Sequence, residues 1–486
     1  MNNKFLKKIE MKNTYINIAF SLLFILFAGS LWAQTPIQMM AHFPNRPFSD
    51  TAIVRNFNDR YSVVYSKSAN NGNRFYLVEH ATGIIAKSFK TDNDVKDMEI
   101  DKDTLYYCGL NSNRAAILGY FAIMDLLSSS LPDYNVQINI HPDFQAPLYI
   151  PRRMEVFHVP DGVHAIVLVD AKFNTGAVKH ILTDVYSYYN SWRVFSGCYV
   201  PFGEGNNIFC CDDLAVTDNY VFLLGHKKYS AGIYMRKFKK PTCCVGANDN
   251  IFYSNIYNEI YNYAPTFGGN INILGDGLGE HSAYCTHTVG DSVAIACMAS
   301  YYDGTTFTYG TSIKCFDVSS LIPTYPPYAC TSTYEVFHPY TSVYDRTWEV
   351  KDLRYNPINK NILMLHDISN PFGGPLERVV TAVDYPALST AVMTWPTSNY
   401  KGYSMDKFDG MGNGIVSIGA GGVGVLELCT NQYYTTDCFS VFFPNVMMWV
   451  GEIQNFTVEV DNNNRQSGSF PTTRYVENET AVVICP

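Results

Sequence analysis

The hydrophobic pattern of this chain is short in period and repetitive, and residues 211–238 show it best. Asp213-Leu214-Ala215-Val216-Thr217 is a brief alternating run that ends at the turn pair Asp218-Asn219. Residues 220–225 follow as an almost continuous apolar run, which suits a strand covered on both faces. After a polar hairpin, residues 232–238 form a third extended segment. Three segments of this kind, joined by tight turns, predict an antiparallel meander.

Variants of the unit begin near Ile53, Met98, Met154, Asp213, Tyr284, Leu353 and Met405, at intervals of roughly 45–70 residues. We number them units one to seven. A fourth strand is predicted in most of them, most clearly at residues 84–89, 192–200 and 391–395, with 431–443 serving unit seven. Four short antiparallel strands per repeat cannot bury both faces alone, so the repeats must stack around an axis. A β-sandwich is the rival arrangement. The absence of a helical pattern between units favours an all-β fold, a seven-bladed β-propeller of four-stranded antiparallel meanders with a short C-terminal extension. Residues 37–43 are apolar and precede unit one; they are expected to supply an outer strand to the last blade and so close the ring.

Residues 1–33 read as an export signal, with Lys4, Lys7, Lys8 and Lys12 before an apolar segment at 16–31 and a cut at Ala33-Gln34. The apolar run is short for a membrane span. Such a signal followed by Gln resembles those of secreted Bacteroidetes propeller proteins, and implies a periplasmic, cell-surface or extracellular location. The propeller is then assigned to residues 34–443 and the extension to 444–486, which either packs on the ring or begins a further module.

Charge sharpens this picture. The formal net charge is −9, and removing four Lys and one Glu with the signal takes it to −12. An acidic surface argues against nucleic acid and anionic membranes as partners. The 13 Cys all follow residue 33, which suits an oxidising compartment. Close spacing nominates Cys315–Cys330 and Cys429–Cys438 as disulfides, with Cys210 or Cys211 facing Cys198, Cys243 or Cys244; Cys108 lies in an apolar strand and reads as a buried thiol. The odd number leaves at least one thiol over.

No catalytic or metal signature emerges. Residues 419–424 match GxGxxG by letter, but an apolar strand rather than a helix follows, so they read as a hairpin turn. HExxH, paired CxxC and GxSxG motifs are missing. Asp92 with Asp94, and Asp101 with Asp103, alternate as calcium loops require but lack the glycine and closing glutamate. Glu79-His80-Ala81-Thr82-Gly83 resembles the strand–TG–strand corner of quinoprotein-type bacterial propellers; the tryptophan of the quinone-binding repeats is missing, so no cofactor is implied.

Recognition falls to aromatic residues, because tyrosine offers a flat apolar face with a polar tip. Tyr257, Tyr261 and Tyr263 lie in a long excursion at 241–280, and Tyr325, Tyr328, Tyr340 and Trp348 in a second at 321–350. They are the expected contacts to a glycan or protein partner. Packing against blade edges is the competing role for the same rings. The rival functional class is a polysaccharide hydrolase or lyase with its acid and base at the mouth of the central channel. A purely structural surface component is a third.

Overall fold

The computed structural model describes residues 40–43, 51–67, 72–79, 85–128, 130–138, 146–176, 178–188, 191–199, 209–227, 233–242, 259–264, 270–273, 283–302, 307–319, 334–340, 350–358, 360–368, 377–384, 390–394, 401–407, 414–419, 423–428, 440–442, 447–449, 452–457, 465–466, 469–477 and 482–485. These form antiparallel strands and tight turns, with one 3-10 helix among the described residues, Ile123–Leu127. No helix among them is long and apolar enough to cross a membrane.

Each sequence unit folds into its own meander. Unit one pairs Thr51–Asn56, Tyr61–Lys67, Asn73–Glu79 and Ile85–Thr91 in order. Unit two does the same with Asp94–Asp101, Thr104–Leu110, Ala116–Ala122 and Ser130–Gln137. Units three, four and six repeat the pattern, starting at Leu148–Val159, Phe209–Val216 and Val350–Asn356. In unit five the short Ala283–His287 and a further strand, Asn270–Ile273, pair with different halves of the long Ser292–Tyr302. The GxGxxG segment of unit seven joins Gly414–Gly419 to Val423–Leu428 as an antiparallel hairpin.

In units one to six the second strand is apolar on both sides because it is sandwiched. Among the described residues each large apolar cluster draws on two successive units: Tyr65, Phe75 and Phe89 of unit one with Tyr107 and Phe121 of unit two, then units two with three, three with four, four with five and five with six. The first strands touch in a closed cycle, with Thr51–Asn56 of unit one against both Asp94–Asp101 of unit two and Lys401–Lys407 of unit seven. Meanders stacked face to face around a ring of first strands make a β-propeller.

Closure uses both chain ends. Met40–Phe43 pairs with Val423–Leu428 and fills the fourth position in unit seven. Ser440–Phe442, expected within that position, pairs instead with Thr390–Thr394 of unit six. The reason is steric: the N-terminal strand already holds the edge. The strands beyond residue 443 are each hydrogen-bonded to a sheet, so this part of the extension packs on the ring.

Candidate functional site

The first strands carry a feature that their hydrophobic pattern conceals. Units two, three, four, six and seven each have a register shift on the first strand, just before Asp97, Arg153, Asp213, Asp352 and Ser404. A β-bulge re-aims the side chains that follow it. These bulged strands, with Arg55 of unit one, bring polar side chains from six units together where the first strands converge.

Three aspartates repeat one contact. Asp97 accepts the N–H of Met98 at 2.9 Å and that of Met154, in the next unit, at 3.0 Å. Asp213 accepts from Leu214 at 3.0 Å and from Cys285 of unit five at 2.9 Å. Asp352 accepts from Leu353 and from Met405 of unit seven, both at 2.9 Å, and from the Ser404 hydroxyl at 3.0 Å. Asp406 adds a fourth such link, accepting the Asn56 N–H of unit one at 2.7 Å. Each carboxylate thus satisfies an amide of its neighbour that a sheet ladder cannot reach.

Arginines neutralise these acids. Arg55, only 2 % exposed, donates to Asp97 at 2.8 Å, Glu99 at 3.0 Å and the Ser404 hydroxyl at 3.1 Å. Arg354 reaches Glu99 at 3.1 Å and lies 3.5 Å from Asp352. Arg153 lies 3.5 Å from Asp213, with its guanidinium 4.7 Å above the Tyr284 ring. Glu155 makes no hydrogen bond among the described residues.

The electrostatics separate these carboxyls. Burial pushes Asp213 up to about 6 against the pull of Arg153 and the two amides. Glu155 is driven well above the usual carboxylate range by burial and then by Glu99. Burial also raises Asp97, opposed by Arg55 and Arg153. For Asp352 burial acts in the same sense, but Arg354, Arg55 and Arg153 outweigh it and hold it below its ordinary value. Tyr284 is kept protonated by burial despite Arg153. Glu155, raised by burial and by Glu99, and Asp213, raised to about 6, therefore line one cavity with Asp352, which is held below its ordinary value. The cavity they line, with Asp97, Glu99 and Arg354, measures about 270 Å³ counted out to open solvent.

Beside it, in unit three, His180 hydrogen-bonds Asp170 at 2.8 Å, and Asp170 lies 3.7 Å from Arg152. Arg152 in turn donates to the Cys211 carbonyl. His164 meets both oxygens of Asp184, at 3.0 and 3.1 Å, in a fully buried pair.

Of the residues expected to bind a partner, the three in described strands do not belong to the first strands that carry this cluster. Tyr261 and Tyr263 lie on Glu259–Ala264, the fourth strand of unit four, and Tyr340 ends Tyr334–Tyr340, the fourth strand of unit five. Fourth strands are three strands from the axis, on the order of 14 Å. Tyr257, Tyr325, Tyr328 and Trp348 lie outside the described residues, as do Cys330, Cys429 and Cys438. Cys315 carries a free, buried thiol, so the expected Cys315–Cys330 bridge is not formed. Cys108, Cys211 and Cys285 are also free and buried, which leaves Cys210 as the candidate for the pairing expected of Cys210 or Cys211. Packing between sheets, not bridging, is what these sulfurs do. Asp94 is taken up by Lys67 and Lys96, and Asp101 by His158. Among the described residues no three His, Cys, Asp or Glu side chains come together as a metal site.

No protein-family model and no curated protein sequence matches this chain. Solved structures that resemble it include Drosophila Semaphorin 1a, extracellular domains 1–2, at 10% identity over 83% of this chain and 90% of that one, TM-score 0.45. A PL25 ulvan lyase bound to -[GlcA(1-4)Rha3S]- aligns at 10% identity over 81% and 96%, TM-score 0.39. The Vanderwaltozyma polyspora Nup133 β-propeller domain aligns at 11% over 78% and 99%, TM-score 0.26. All three are propeller-type structures, and likeness at this level carries no inference about activity. The β-propeller assignment rests on the strand pairing itself.

Proposed function

We propose that this chain is an exported, seven-bladed β-propeller that binds a glycan or protein partner through aromatic residues on its rim and outer strands, and performs no chemistry. The observation that carries this reading is the state of the axial cluster. Its aspartates are already engaged by arginines and by amides of neighbouring units. The enclosed space left there, about 20 Å³, is far below the roughly 300–1,000 Å³ of ligand pockets. An axis built this way is a clasp, which supports recognition elsewhere on the ring. Tyr257, Tyr261, Tyr263, Tyr325, Tyr328, Tyr340 and Trp348 are the residues we assign to the contact.

One observation favours the enzyme reading, a polysaccharide hydrolase or lyase. Glu155, raised well above the usual carboxylate range, lines the same cavity as Asp213, raised to about 6, and carboxyls set apart by their surroundings are what general acid–base catalysis uses. Both readings are tested by applying residues 34–486 to a broad glycan array and analysing the bound sugars by mass spectrometry. Retention of intact glycan, weakened by Tyr261→Ala, supports the binding role. Shortened products that disappear with Glu155→Gln would replace it with the enzyme. Silence across the array removes the glycan and leaves a protein partner.

A further inference from the structure

The C-terminal strands do not pair with one another. In chain order, Ser440–Phe442 adds to unit six, Met447–Trp449 to unit five, Glu452–Thr457 to unit four and Arg465–Gln466 to unit three. Ser469–Glu477 then bridges units two and one, and Val482–Cys485 covers Met40–Phe43 in unit seven. The segment runs round the whole perimeter, against the order in which the units follow one another along the chain. At every step it takes the outer edge of a fourth strand.

We propose that residues 440–485 form a detachable strap, and that its release opens the outer sheet edges to the same segment of a second copy of this chain. Three features lead there. The contacts are short, from two residues at Arg465–Gln466 to nine at Ser469–Glu477, and ladders of two or three residues are not stable alone. They are linked in series, so each contact raises the effective concentration of the next. Such a strap grips firmly as a whole yet peels one sheet at a time. Finally, stripped fourth strands are open edges, which pair with any strand of matching register. The strand that matches by construction is the strap of another copy, and exchange of an identical element is a low-cost route to a dimer.

The test uses the full chain with a specific protease site inserted between residues 429 and 439, cut only after folding. The strap fragment should stay with the ring after cleavage and leave at urea concentrations below those that unfold it. Amide exchange of Ser130–Gln137, Glu259–Ala264 and Thr390–Thr394 should then quicken roughly tenfold or more, while Asp94–Asp101 stays protected. Ser469–Glu477 should be the last part to release. The uncut chain, held at high concentration in urea that releases the strap and then returned to buffer, should dimerise, and excess peptide 440–486 should return it to monomers. Immediate loss of the fragment with no change at the fourth strands overturns the strap. So does its retention until the inner strands also unfold. An uncut chain that stays monomeric after this treatment overturns the exchange between copies.

Discussion

Replacing Arg55 with methionine tests whether the axial cluster holds the ring together. Arg55 belongs to unit one, but its guanidinium reaches Asp97 and Glu99 of unit two and Ser404 of unit seven. Methionine keeps the apolar stem and removes only the charge and its hydrogen bonds. Removing one partner of a buried ion pair costs about 3–5 kcal/mol, because the remaining charge is left uncompensated. The lower end applies here. Glu99 still has Arg354 at 3.1 Å, and Asp97 keeps the amides of Met98 and Met154. With an unfolding entropy near 2.1 cal/mol/K per residue over about 400 residues, a loss of ~3 kcal/mol lowers the melting temperature by about 4 °C. Thermal melts followed by circular dichroism would measure it. The double variant Arg55→Met/Asp97→Asn removes the orphaned charge and keeps an acceptor for the neighbouring amide. It should melt above the single variant. A shift under about 1 °C for Arg55→Met, or simple additivity in the double variant, would refute charge compensation as the source of closure.

Further outcomes follow from the same contacts. Asp213 is raised to about 6 from 3.8, so its stabilising protonation is complete below about pH 4 and lost as pH rises through 6. Glu155 acts in the same sense and His158, lowered by burial, against it. Melting temperature should therefore climb between pH 7 and 5, and Asp213→Asn should flatten the climb; a steady fall with acid in the native chain would contradict this. A Cβ on Gly119 would sit 2.0 Å from the Tyr107 ring, whose hydroxyl is fixed by Asn93 and Asn135. Gly119→Ala should cost about 1–3 kcal/mol in urea denaturation, and an unchanged midpoint would show that Tyr107 can move. Burial raises Cys108, Cys211 and Cys285 well above the ordinary thiol range and Cys315 to about 12. Mass spectrometry after iodoacetamide treatment should find all four unmodified in the native protein and alkylated after unfolding, whereas rapid native labelling would place them at the surface.

Why the meanders were readable and the axial cluster was not is a matter of range. Residues 220–225 identify a sandwiched strand because their neighbours on both sides are apolar, and that information is local. Met98, Met154, Leu214, Leu353 and Met405 mark the first strands for the same reason. The charged residues flanking them, Asp97 and Glu99, Arg153 and Glu155, Asp352 and Arg354, recur at the same positions and were the available signal. Read one strand at a time they look like a solvated face. Their convergence depends on the bulges and on contacts such as Arg55 with Ser404, 349 residues apart. The cysteines mislead for a related reason. Spacing along the chain placed Cys315 near Cys330, whereas packing between sheets buried it as a free thiol. The strap is legible only as isolated extended runs, since nothing in 440–485 names the edge that each run will take.

Two devices close this ring, and they act at opposite ends of each sheet. At the axis, carboxylates reach across to amides of the next unit, and this lattice forms only when adjacent first strands are already in place. At the perimeter, Met40–Phe43 enters unit seven and the strap then covers the other fourth strands. An N-terminal strand that pairs with the last unit cannot be placed until that unit exists, and the strap's final strand pairs with it. The order of assembly is therefore meanders first, the N-terminal strand next and the strap's last contact at the end. Loop closure over such separations is slow. Until it is complete, the outer edges are open to other chains, and the inner lattice must hold the ring without help from the perimeter. A stable axis and a removable perimeter are consequences of one topology: the charges belong where closure comes first, and the short strands where it comes last.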